Sequence, residues 1–126
     1  MFSIAVDRTH TVLLVEFTGQ LQPRNLEDID RFAQSIAEID AVEKIVVDMR
    51  QVTGIEVPLD RLLERAGGAP ALPGRAMVFV AIPGTVGDIT ERYAAHRRQS
   101  GHAGIPIVAD LEAAWRLLGI APPTFR

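Results

Sequence analysis

Residues 44–59 read Lys-Ile-Val-Val-Asp-Met-Arg-Gln-Val-Thr-Gly-Ile-Glu-Val-Pro-Leu. The β-branched run Lys44–Asp48 predicts a short buried strand, central and parallel in its sheet. A polar turn follows. Pro58 then suits the first turn of a helix, where its missing N–H would be unpaired anyway. A strand that feeds a helix through a short turn is half of a βαβ unit, so the chain is constrained to the α/β class with a largely parallel sheet.

The flanking sequence extends the pattern. Phe2–Val6 and Thr11–Thr18 are strand-like and are joined by the short polar Asp7-Arg-Thr-His10, as in a hairpin. Leu26, Ile29, Phe32, Ala33, Ile36 and Ala37 recur at spacings of three and four. They predict an amphipathic helix over 25–40, with Asn25 as its N-cap. Leu59, Leu62 and Leu63 supply the apolar side of a second helix, which Gly67-Gly68 ends. Ala69 to Gly74 carries two prolines and reads as a loop. A buried strand at 75–82, a third helix at 86–100 and a short strand at 105–109 follow. Pro106 makes that last strand an edge or a strand start. Asp110 caps a final helix, Leu111–Leu118, closed by Gly119. The order is ββαβαβαβα, about five strands and four helices in one domain spanning 1–126, with the first strand antiparallel.

Three segments in this order resemble the STAS fold of anti-sigma-factor antagonists and the related SpoIIAA-like, or STAS/SEC14-like, group. Phe17-Thr-Gly-Gln-Leu21 is similar to the family's Gly-x-Leu after the second strand. Val47–Glu56 resembles its Asp-Leu-Ser segment, with Asp48, Met49, Val52, Thr53, Ile55 and Glu56 fitting without a gap. Ile107–Gly119 resembles its closing strand and helix. The resemblance implies a regulatory domain that binds proteins and is not an enzyme. It also implies that the phosphorylation switch is absent, because Val57 and Pro58 stand where the family has Ser-Ser and Leu59 replaces the following Gly. Nothing marks the nearby Thr53 as a substitute acceptor.

Composition narrows the functions. A net charge of −3 argues against a nucleic-acid partner, which would call for a surplus of Lys and Arg. The absence of Cys excludes disulfides, thiolate metal sites and a Cys nucleophile. No run approaches the ~18 apolar residues of a membrane helix. The N-terminus lacks a basic, signal-length apolar segment. A cytoplasmic protein without membrane insertion is expected. One lysine against twelve arginines, with abundant Ala, Gly and Pro, suits a GC-rich bacterial genome.

No catalytic signature stands out. Ser3, Ser35 and Ser100 lie outside any Gly-x-Ser-x-Gly elbow. His96 and His102 are six apart, not at the i, i+4 spacing of a helical metal pair, and His10 reads as a turn residue. Asp48 and Glu56 flank the central turn and could pair for acid–base work, but the plain reading is that Asp48 satisfies backbone donors and Glu56 faces water. Arg92, His96, Arg97, Arg98 and His102 make a basic cluster that suits the negative end of the third helix.

Two functions follow as expectations, and neither calls for a cofactor or metal. The first is a non-enzymatic interaction module. It would bind another protein or itself through Glu56, Val57, Leu59, Arg61, Leu62 and Arg65, with an exposed edge strand or apolar second helix allowing a homodimer. The alternative is a small-molecule binder. Its ligand would be an anion or nucleotide at Gly84, Thr85 and Gly87, or an apolar molecule beneath the second helix and the loop of Ala69 to Pro73.

Overall fold

The computed structural model describes residues 1–125, apart from the side chain of Ile39. The elements run β1 (Phe2–Asp7), β2 (Val12–Leu21), α1 (Pro23–Asp40), β3 (Lys44–Ile55), α2 (Leu59–Gly67), β4 (Ala76–Val80), α3 (Thr85–Gln99), β5 (Ile107–Val108) and α4 (Leu111–Leu118). The expected order ββαβαβαβα is therefore the observed one. The strands form one mixed sheet in the order β1-β2-β3-β4-β5. β1 is antiparallel to β2, and the remaining neighbours are parallel.

That strand order decides where the helices lie. Each crossover from β2 to β5 steps in the same direction across the sheet, and crossovers share one hand, so α1, α2 and α3 must share one face. Leu13, Val15 and Ile45 point to this face and pack with Ile29, Ala33 and Ala37 of α1. Phe79 packs there with Ala94 and Tyr93 of α3. The opposite face carries Val12, Leu14, Val46, Val78 and Val80, covered by Ala114 and Trp115 of α4. Leu111, Ala114, Trp115 and Leu118 fall at i, i+3, i+4 and i+7, which gives α4 a single apolar stripe for that purpose.

Three expectations need correction. β3 does not stop at Asp48 but continues to Ile55. Its register against β2 shifts twice, between Glu16/Thr18 and between Gly19/Gln20, and each shift inserts one extra residue into β3. Two bulges turn the alternation of two into a spacing of three, so that Met49, Val52 and Ile55 all reach the α1 face. Second, α1 begins at Pro23, with Gln22 as N-cap. Asn25 sits at the third helical position, and its Oδ1 accepts the Gln22 backbone N–H at 2.8 Å. Third, Phe32 is 54% exposed and leaves the buried stripe. It stands over β1, its ring 6.1 Å from that of Phe2.

Asp7 clips the segment around Thr124 to this framework. Its buried carboxylate accepts from the Thr124 backbone N–H at 2.9 Å and from the His10 backbone N–H at 3.2 Å, and pairs with His10 Nδ1 at 3.1 Å. The His10 ring contact holds the Asp7 pKa below the usual carboxylate range. Burial opposes this, and the two backbone N–H groups add to the lowering. A depressed carboxylate stabilises the fold above its unfolded-state pKa, and that contribution is lost as pH falls through the folded value. The stability difference between wild type and Asp7→Asn is therefore expected to be full near neutrality and to shrink in acid. Urea midpoints measured from neutral pH down to below the carboxylate range read it directly.

Candidate functional site

α2 has nine residues, of which only Leu62 and Ala66 are buried, and it packs on α3. α1 lies further along the sheet over β1 and β2. A short helix held against one neighbour leaves the sheet between α1 and α3 partly uncovered. The result is an open cavity of about 410 Å³. Its floor is the odd-numbered side chains of the sheet, among them Leu13, Val15, Ile45, Val47 and Phe79. One wall is α1, with Leu26, Ile29, Asp30, Ala33 and Gln34, and the other is α3, with Ile89, Thr90, Tyr93 and Arg97. Leu62 and Arg65 of α2 and the loop Ala69–Leu72 complete it. Gln34 Nε2 donates to the Ala71 carbonyl at 3.2 Å, which ties this loop to α1 across the opening.

The polar groups of the cavity are few. Arg65 donates to both oxygens of Asp30, at 2.6 and 2.5 Å, so a fork-shaped ion pair bridges α2 and α1. Burial works to lower the Arg65 pKa, but the Asp30 carboxylate and the Tyr93 hydroxyl beside it prevail, and the guanidinium lies above its usual value. The Thr90 hydroxyl donates to the Val86 carbonyl at 2.8 Å and is satisfied within its own helix. Asp30 is the sole carboxylate of the lining and is already paired. The lining holds no His, Ser or Cys among the described residues. Such a surface can bind and orient a molecule, with Tyr93 and Arg97 as the side chains of the lining that could add polar contacts.

The six residues expected to meet a partner do not share one surface. Glu56 and Arg61 are exposed, and Leu59 is half-buried between them. Glu56 accepts from Gln22 Nε2 at 3.0 Å. Val57 and Leu62 are buried, at 7% and 5% exposure, and Leu62 belongs to the cavity wall. Arg65 is taken by Asp30. Val57 and Leu62 thus serve the interior or the cavity wall, Arg65 is held at the cavity mouth, and Glu56, Leu59 and Arg61 offer surface.

The Gly84–Gly87 turn is shaped by packing. Gly84 is the N-cap of α3, at φ 137°, and Thr85 is the first helical residue, exposed and without a side-chain cap bond. Gly87 is buried, and a Cβ there would run into the backbone carbonyl of Ile82. Gly87→Ala is expected to cost about 1–3 kcal/mol through overpacking, read as a lowered urea midpoint. Asp48 and Glu56 do not pair either. Asp48 is buried and takes Arg50 Nε and the Arg50 terminal nitrogen at 3.0 and 2.9 Å, as well as the Arg50 backbone N–H at 3.0 Å. The basic cluster of α3 divides in the same way: Arg97 joins the cavity wall, His102 Nε2 meets the Gly67 carbonyl at 3.1 Å, and Arg98 is exposed. Among the described residues, no helix is long and apolar enough to cross a membrane.

Sequence reasoning missed the α1 wall and the opposite wall formed by Ile89, Thr90, Tyr93 and Arg97 of α3. One signal was present: Asp30 follows Ile29 and lies four after Leu26 and three before Ala33, which puts an acid on the edge of an apolar stripe.

No family model and no curated protein matches the chain. Among solved structures, it is similar to the anti-sigma factor antagonist SpoIIAA in its unphosphorylated form, at 17% identity and a TM-score of 0.63, with 97% of this chain and 100% of that one covered. Two chains that superpose over nearly their whole lengths with so little sequence in common share an architecture, and the fold described above is the STAS fold.

Proposed function

We propose that this domain is a non-enzymatic binding module whose cavity between α1, α2 and α3 takes a small apolar molecule. The observation that carries the reading is the open hollow of about 410 Å³ over an apolar sheet floor. Protein interiors pack densely, and voids larger than a water molecule are few. A hollow of this size falls within the ~300–1,000 Å³ of small-molecule sites. The ion pair of Arg65 with Asp30 and the bond from Gln34 to Ala71 hold its two sides apart at fixed points, which favours a site formed before the ligand arrives. An apolar fluorescent dye such as N-phenyl-1-naphthylamine tests it. Saturable binding of one dye per chain, with thermal stabilisation that follows occupancy, is the expected result. A dye that stays dark over the folded protein would refute the reading.

A second reading, regulation through a protein partner, is favoured by the exposed strip Glu56, Leu59 and Arg61 at the start of α2 and by the fold shared with an anti-sigma factor antagonist. Without a hydroxyl at Val57 or Pro58, control by phosphorylation at that position has no acceptor. Occupancy of the cavity beneath α2 is a substitute means of control. Arg61→Glu, which reverses an exposed charge, is then expected to abolish capture of a specific partner, or self-association, with the melting temperature unchanged. Capture by the Arg61→Glu protein equal to wild type would count against this surface.

A further inference from the structure

We propose that the molecule in this cavity is a single-chain amphiphile bearing one carboxylate, of the fatty-acid kind, with its chain over the sheet and its head group on Arg97. The inference rests on the apolar-ligand reading above. Three charged side chains border the hollow: Asp30, Arg65 and Arg97. The first two neutralise one another. Arg97 is half-buried and, among the described residues, has neither an ion-pair partner nor a side-chain hydrogen bond. The lining therefore includes one unmatched positive charge, on a side chain that also borders a second, smaller hollow beside Ala76, Gly104 and Leu117.

The charge is placed where an amphiphile would need it. Arg97 lies one turn beyond Tyr93 on the same side of α3, and both line the cavity together with Arg65. Asp30 and Arg65 are each about a third exposed, at 33% and 32%, so this polar group stands at the mouth. Val47, Ile55 and Met77, the partly exposed side chains of the floor, are all apolar. Polarity thus falls from mouth to floor. A guanidinium matches a carboxylate through two parallel N–H···O bonds. One spare charge matches a monoanion better than a phosphate dianion. A volume near the lower end of ligand sites suits one chain rather than a two-chain lipid.

Isothermal titration of the full chain with decanoate, 1-decanol, decyl phosphate and decylamine, each below its micelle concentration, separates the terms. Decanoate is expected to bind about 10–100-fold more tightly than 1-decanol, the range for a hydrogen bond to a charged group. Arg97→Gln should bring decanoate down to the level of 1-decanol and leave 1-decanol unchanged, whereas Arg97→Lys should keep part of the preference. Should the Gln variant fail to fold, the Lys variant and the ligand series still decide. Equal affinity for decanoate and 1-decanol would overturn the head-group assignment while leaving the apolar site standing. Tightest binding of decyl phosphate or of decylamine would overturn the carboxylate assignment. Binding of none of the four would remove both this inference and the reading on which it rests.

Discussion

Truncation of Trp115 to alanine is expected to destabilise the protein by about 3–5 kcal/mol, the range for a large buried aromatic side chain. Against the ~5–15 kcal/mol that holds a typical domain together, that is enough to leave a sizeable unfolded fraction at elevated temperature. α4 is short and covers its face of the sheet together with Ile120 and Phe125. Trp115 is 7% exposed, packs in the cluster of Val12, Val46, Val78 and Val80, and lies 5.9 Å from the Phe125 ring. The four valines are at most 1% exposed, so little room is left for the face to collapse into the gap. Equilibrium urea unfolding measures the loss, and a cost below about 1 kcal/mol would mean that this face is not packed as described.

The same kind of truncation on the other face should be cheaper. Leu62 is a smaller side chain than Trp115 and borders the hollow, so its truncation removes less buried apolar surface. Leu62→Ala is expected near the bottom of the ~2–5 kcal/mol range for such changes. The two faces of one sheet thus differ in kind, one filled and the other hollow. The contrast also bears on interaction experiments: loss of a partner on substituting Leu62 would report a disturbed wall, whereas Arg61 tests the surface itself.

Most of the architecture was written locally. The valine and isoleucine runs, the Asp110 cap whose Oδ1 accepts the Ala113 N–H at 2.8 Å, and the left-handed Gly119 that ends α4 each fix an element through near neighbours. The second half of β3 was not legible, because its bulges give Met49, Val52 and Ile55 a spacing that no strand template contains. The cavity was half legible. The apolar residues from Leu62 to Leu72 marked one side of it, and that side is where the structure has it. Its other walls depend on how far α1 stands from α3. No local pattern encodes that distance, and the ion pair that spans it joins residues 35 apart in sequence. The burial within the partner set was not legible for a related reason: at the start of a short helix, neighbouring positions alternate between solvent and interior, and Val57 and Leu62 fall inward.

Filling the hollow should separate folding from binding. Ala33 lies on the inner face of α1, is 6% exposed, and lines the cavity. Ala33→Phe places a ring in the empty space without adding a polar group. Where space is available, such substitutions commonly add about 0.5–2 kcal/mol of stability, and natural proteins leave such gains untaken where the space has a use. The expected outcome is a melting temperature equal to or above that of wild type, with affinity for the apolar dye reduced by at least about tenfold, a 1.4 kcal/mol difference. Each result checks the other. Unchanged dye affinity in a folded Ala33→Phe protein would place the dye elsewhere and leave the cavity without its proposed role. A strongly lowered melting temperature would show that the walls do not leave the space the structure gives them, since overpacking costs about 1–3 kcal/mol. Higher stability together with lost binding is the pair of results that a preformed apolar site between α1, α2 and α3 predicts.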